Sequence, residues 1–175
     1  MNCCSRNREP TKEVVLNFYR EELLYDISNY CFIEGDLLET EDAHTPHQVQ
    51  DATEEGNIDR ITRVLNLAHA SCVEMLYPYT KEEIDEKEEL DNKLPYHESF
   101  PINLRLPEGF SMTTISLIKK LIHEYLVCYA VSDWMSITKR ESYETWKIKL
   151  DDVTQRIRSA LTNRRGRIRI RQHPF

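Results

Sequence analysis

Residues 113–137 read TTISLIKKLIHEYLVCYAVSDWMSI, and this stretch decides the fold class. Ile115, Leu117, Ile118, Leu121, Ile122, Tyr125, Leu126, Val127, Cys128, Tyr129, Val131, Trp134 and Met135 fall on nearly every side of a helix of about 3.6 residues per turn. A helix apolar on most faces lies in the middle of something. The excess over one core-facing stripe predicts subunit packing in addition to an internal core.

The next segment, 139–162, carries one apolar stripe: Tyr143, Trp146, Leu150, Val153, Ile157 and Leu161. Thr138 and Glu141 stand at capping-box spacing before it. Only a few residues join it to the preceding helix, so the two form an antiparallel hairpin. Upstream, Leu16, Tyr19, Leu23, Ile27 and Tyr30 recur at spacings of three and four and predict a helix over 12–31, with Thr11 as its N-cap. Ile58, Ile61, Leu65, Ala68, Cys72 and Met75 predict a helix over 57–77, capped by Asn57 and stopped by Pro78.

Between those helices, 34–56 is acidic, contains Gly35, Pro46 and Gly56, and reads as a long loop. Thr80 and Glu83 repeat the capping spacing at KEEIDEKEELD (81–91), a short solvated helix with only Ile84 and Leu90 to bury. Phe100, Ile102, Leu104 and Leu106 then alternate over 99–106. That is an extended signal, which Pro101 confines to an edge. The expected class is all-α: a helical bundle over 1–162 with an α-hairpin core and a long acidic loop, then an extended C-terminal arm over 163–175.

Composition agrees with a helical chain, since 4 Gly and 7 Pro in 175 residues are too few for a turn-rich all-β protein. No apolar run reaches the ~18 residues of a membrane span, and residues 1–10 lack a signal peptide's apolar core. The five cysteines, Cys3, Cys4, Cys31, Cys72 and Cys128, are odd in number and irregularly spaced, which favours a reduced, cytoplasmic origin over a disulfide framework.

The net charge of −7 is unevenly spread. Five of the 23 Lys and Arg residues, and none of the 30 acids, lie in 163–175, so the body holds 18 basic against 30 acidic side chains. In the arm, Arg165, Arg167, Arg169 and Arg171 alternate with Gly166, Ile168 and Ile170. Extended chain puts Arg on one side and Ile on the other. The segment therefore reads as a partner-binding arm, with His173, Pro174 and Phe175 as its apolar end.

Catalytic signatures fail one by one. His123-Glu124 begins the HExxH zinc pattern, but Val127 stands where the second His belongs. His69 and Cys72 share a helix face without a second ligand pair, and His44 and His47 sit near Asp42 in the acidic loop. The four glycines are isolated, so there is no phosphate-binding loop. Paired carboxylates in 82–91 read as a solvated face. The chain is expected to be no enzyme and to need no cofactor or metal.

The stretch IHEYLVCYAVSDWMSIT (122–138), then YETWKIKLDDVTQRIRSAL (143–161), then TNRRGRIRIRQHPF (162–175), resembles the small head–tail connector (adaptor) proteins of tailed bacteriophages. The resemblance covers about residues 111–175. It implies a helical ring, typically twelve-fold, beneath the portal of a virion assembled in the host cytoplasm. By it, Arg165, Arg167, Ile168, Arg169, Ile170 and Arg171 map onto an arm that docks on the portal protein, with other copies of the chain and tail or neck proteins as further partners. The segments 34–56 and 99–106 depart from a minimal adaptor, and as insertions they would face the tail or a DNA channel. The alternative, from a different class, is a cytoplasmic helical regulator whose basic tail binds nucleic acid through phosphate neutralisation.

Overall fold

The computed structural model describes residues 11–38, 44–77, 79–81, 93 and 96–162. Their order is β1 (Thr11–Tyr19), α1 (Arg20–Asp36), α2 (His44–Gln50), a 3₁₀ turn (Asp51–Thr53), α3 (Ile58–Met75), β2 (Ser99–Pro107), α4 (Met112–Thr138) and α5 (Arg140–Thr162). The all-α expectation is overturned. The described residues are mostly helical, but β1 and β2 form a two-stranded antiparallel sheet, in register from Thr11↔Pro107 to Tyr19↔Ser99.

The correction falls on the helix expected over 12–31. Its apparent stripe runs across a strand–helix junction. Leu16 and Phe18 are buried and Val14 half-buried, while Glu13, Val15, Asn17 and Tyr19 are exposed, which is period two. Only from Arg20 does the period become helical, with Leu23, Ile27 and Cys31 buried. Thr11 caps no helix and is the first residue of β1. The strand pairs with a segment far downstream, and no local pattern announces such a partner. Phe18 meets Phe100, Leu16 meets Ile102 and Val14 meets Leu104 on the sheet's inner face.

The central element is α4, as its composition requires. Ile118, Leu121, Ile122, Leu126, Val127 and Val131 are all buried on it, together with Trp134 and Met135. The hairpin partner α5 covers one side with Trp146, Val153, Ile157 and Leu161, while Leu150 is half-buried. On other sides α1 and α3 contact α4, and α2 touches it as well. The apolar excess is thus absorbed within one chain. Among its large apolar residues only Met112, Leu117 and Ile137 are exposed.

The 34–56 segment is not a long loop. It contains α2 and the 3₁₀ turn, which bury Val49 and Ala52. The supposed breakers serve packing instead. Pro46 lies in the first turn of α2, where proline costs no hydrogen bond. A Cβ on Gly35 would come within 2.6 Å of Gln50 Cγ and 2.8 Å of the Pro46 carbonyl, so glycine is what lets α2 cross α1. Trp134 Nε1 donates to the Val49 carbonyl at 2.8 Å and pins α2 to α4.

Two further caps differ from expectation. Thr138 is the last residue of α4 and its hydroxyl donates back to the Trp134 carbonyl at 3.0 Å. Asn57 precedes α3, but its side chain donates to the Asp51 carbonyl at 2.9 Å. Most of the expected short helix over 81–91 lies outside the described residues.

Leu126 is completely buried near the middle of α4. Leu126→Ala should destabilise the fold by about 2–5 kcal/mol through lost transfer energy and a residual cavity. Urea titration followed by far-ultraviolet circular dichroism measures this, and a loss under about 1 kcal/mol would mean that the site is not enclosed.

Candidate functional site

Nucleophilic chemistry finds no seat in the core. Burial pushes the thiols of Cys31, Cys72 and Cys128 up to about 12, so they stay protonated. His123 Nε2 lies 2.7 Å from Asp26 Oδ2 and ties α4 to α1, while the neighbouring Glu124 pairs with Lys149 of α5. His69 Nε2 donates to the Pro101 carbonyl at 2.9 Å, and burial lowers its pKa against the opposing effect of that bond. Its helix neighbour Cys72 is buried in the core, and His44 and His47 are exposed on α2. No three His, Cys, Asp or Glu side chains gather as a metal-ligand set among the described residues.

The most connected polar group is Glu34, in the last turn of α1. Its carboxylate accepts hydrogen bonds from Lys139 Nζ at 2.8 Å, Ser142 Oγ at 2.7 Å and Trp146 Nε1 at 2.9 Å. Lys139 Nζ also donates to the Glu34 backbone carbonyl at 3.0 Å, and its own amide caps α4 by donating to Met135 at 3.0 Å. An acid at a helix C-terminus opposes the helix dipole, and this lysine offsets it. Burial alone would raise the Glu34 pKa, but the three donors and the Lys139 charge outweigh burial and lower it. The cluster locks the α4–α5 turn onto the end of α1. It holds no group poised for proton transfer.

What remains is a surface, built at the sheet. Arg105 N donates to the Tyr79 carbonyl at 2.8 Å, away from β1. Its pair with Glu13 is therefore a non-hydrogen-bonded one, in which backbone groups of both residues point outward. Pro101 has the same phase. It needs no N–H toward β1, and its carbonyl accepts from His69 on the outer side. Arg20 N donates to the Glu98 carbonyl at 2.9 Å in the alternate phase, as this register requires. It follows that Glu13, Val15 and Asn17 direct their N–H and C=O groups away from β2. The outer side of β2 is covered by Tyr79 and His69. The outer side of β1 has no backbone partner among the described residues.

At the Tyr19 end of that edge lies a cleft of about 410 Å³ lined by Tyr19, Arg20, Glu21, Glu22, Tyr96 and Glu98. Arg20 is only 7% exposed. It donates to Tyr96 Oη at 2.8 Å and to Thr62 Oγ1 at 3.0 Å, with its guanidinium over the Tyr96 ring at 4.4 Å. Its Nε finds no partner, and no carboxylate is paired with it in an ion pair among the described residues. The three glutamates around the cleft supply the compensating negative potential.

The expected arm residues, Arg165, Arg167, Ile168, Arg169, Ile170, Arg171, His173, Pro174 and Phe175, lie outside the described residues. Sequence reading missed both the Glu34 cluster and the open edge of β1. The alternation of Val14, Leu16 and Phe18 was the available signal for the edge, whereas nothing local points to Glu34. No family model matches the chain, and no curated protein or solved structure matches it either.

The Glu34 cluster has a pH signature. A carboxylate with a lowered folded-state pKa contributes stability that is present above its unfolded value and is lost as pH falls through the folded one. Glu34→Gln should therefore cost about 1–3 kcal/mol at neutral pH, with the difference from the parent shrinking as pH falls below the ordinary carboxylate range. Denaturation followed by tryptophan fluorescence tests this, because Trp146 touches the cluster. A cost independent of pH would mean that the carboxylate charge does not matter.

Proposed function

We propose that the protein is a non-catalytic structural component of a virion, a head–tail connector (adaptor) that forms a ring of identical copies beneath a portal. The reading rests on the likeness of 111–175 to that family. One observation carries it beyond likeness: charge is partitioned between an acidic body and an Arg/Ile-alternating arm that follows a helical hairpin. Such an arm gains little on its own solvated helices. Along another chain it gains backbone hydrogen bonds, side-chain pockets and ionic contacts together. Single exposed ion pairs contribute only ~0–1 kcal/mol, so Ile168, Ile170 and the backbone supply most of the specificity. In this reading the protein is assembled in the host cytoplasm, with the portal and tail or neck proteins as its other contacts.

The five arginines also suit a nucleic-acid tail. The acidic body opposes that reading, because it repels a duplex over any broad surface.

Native mass spectrometry and DNA titration separate the two. The full-length protein should form one closed ring size. Deleting 164–175 should abolish assembly while the circular dichroism spectrum stays folded, and neither form should bind duplex DNA with a steep salt dependence. A monomer at every concentration, with duplex binding that falls about 0.9 log per log of salt for each phosphate contact and vanishes with the arm, would replace the connector with the regulator.

A further inference from the structure

We propose that the open edge of β1 is the docking site for residues 165–171 of a second copy, which add as a third strand to the sheet. This inference rests on the ring reading above and names the surface that would close the ring.

The observations are backbone chemistry, apolar exposure and charge. Glu13, Val15 and Asn17 present outward N–H and C=O groups along a nine-residue strand. Proteins usually blunt such an edge with a bulge, a proline or a covering element. Here the blunting falls on the other strand, where Pro101, His69 and Tyr79 close β2. On β1, the outward side chains Val15 (56% exposed) and Tyr19 (61% exposed) flank Asn17, beside backbone that has no partner among the described residues, and aliphatic arginine stems of an added strand would lie across them.

An added strand would alternate as its neighbours do. Side chains beside Glu13, Val15 and Asn17 face outward, and those beside Leu16 and Phe18 face inward. The inner side opens on a groove lined by Asn17, Phe18, Tyr19, Glu22, Ser116, Lys119, Lys120 and His123. Isoleucines suit that side, resting on Phe18 and on lysine stems whose charged ends reach water. Arginines suit the outer side at the Tyr19 end, toward the cleft of Glu21, Glu22 and Glu98, while Glu13 at the far end is already paired with Arg105. The opposite register would bring guanidiniums against Lys119 and Lys120. An arm reading RGRIRIR from 165 therefore has one favoured register, as a two-faced strand should.

Lys81 lines a hollow with Glu13 and Val15, which directs the added guanidiniums toward the Tyr19 end. Lys12 Nζ donates to the Phe110 carbonyl at 2.9 Å, Arg105 lies 3.5 Å from Glu13, and His123 is paired with Asp26. The occupant is a second copy because arm-to-edge contact is heterologous. Each copy gives one surface and receives on another, the arrangement from which closed rings are built.

The test uses the full-length protein, with hydrogen exchange at Glu13, Val15 and Asn17 measured across a concentration series alongside native mass. These amides should slow by roughly tenfold or more as the protein associates. Ile168→Ser with Ile170→Ser, which leaves the described body untouched, should abolish both the slowing and the assembly. A single arginine change should weaken both less. Val15→Pro removes an outward N–H that β1–β2 pairing does not use, and should lower assembly while the fold persists. If the protein assembles and these amides stay fast, the edge is not the seat, and the ring reading survives. Slow amides in a monomer at all concentrations would place the arm on its own chain and overturn the second copy. A monomer with fast amides would sink the ring reading itself.

Discussion

The constraint on which everything else depends is the composition of α4. A helix that is apolar on nearly every face is stable only where most of that surface is covered, so the rest of the chain encloses it from about Leu121 to Met135 and leaves Leu117, Lys119 and Lys120 near its start in water. α5 does so along one side as a hairpin partner. α1, α2 and α3 approach from others, and the inner faces of β1 and β2 add Leu16, Phe18, Phe100, Ile102, Leu104 and Leu106 to the same core. Polar ties then fix the angles between elements: Glu34 with Lys139 at the α4–α5 turn, Trp134 with Val49, and His123 with Asp26. The enclosed Glu34 cluster contributes stability as well as orientation, whereas the more exposed His123–Asp26 pair contributes little on its own.

Enclosure also decides where function can reside. Among the described residues, the buried thiols are held protonated, and His69 and His123 are engaged with Pro101 and Asp26. The rim is different because the sheet is asymmetric. α3 and the turn at Tyr79 satisfy one outer side, while the other presents backbone donors and acceptors beside exposed apolar side chains and an acidic, tyrosine-lined cleft. Hydrogen-bonding groups that repeat at strand spacing match those of an extended chain, which is why the proposed occupant of this edge is a strand.

The α4–α5 hairpin and α3 were legible in the sequence because their apolar periods are long and their partners adjacent. β2 was legible as an extended segment for a similar reason, through four apolar residues at period two. β1 was not. Leu16, Tyr19 and Leu23 imitate a helical stripe only because a strand runs straight into a helix at Tyr19, and the pairing that settles the matter is distant in sequence. Likewise Gly35 and Pro46 look like loop formers, and their true reason, a close helix crossing and a first-turn position, exists only in three dimensions. The surplus of apolar residues on α4 suggested subunit packing, but the chain's own sheet and helices consume it. As for the site, the Arg/Ile alternation of 165–171 was plain in the sequence, whereas the edge proposed to receive it depends on a hydrogen-bond phase set by register.

The central claim is that α4 is closed off within each copy, so that the proposed association between copies would use the rim. Site-resolved hydrogen exchange of α4 in the full-length protein, compared between dilute and concentrated solution, tests it most directly. The account predicts that the amides of 121–135 exchange only by global unfolding and at the same rate in both conditions. Protection of α4 that appears only on association would contradict it, because copies would then be meeting through the helix that the fold is built to enclose.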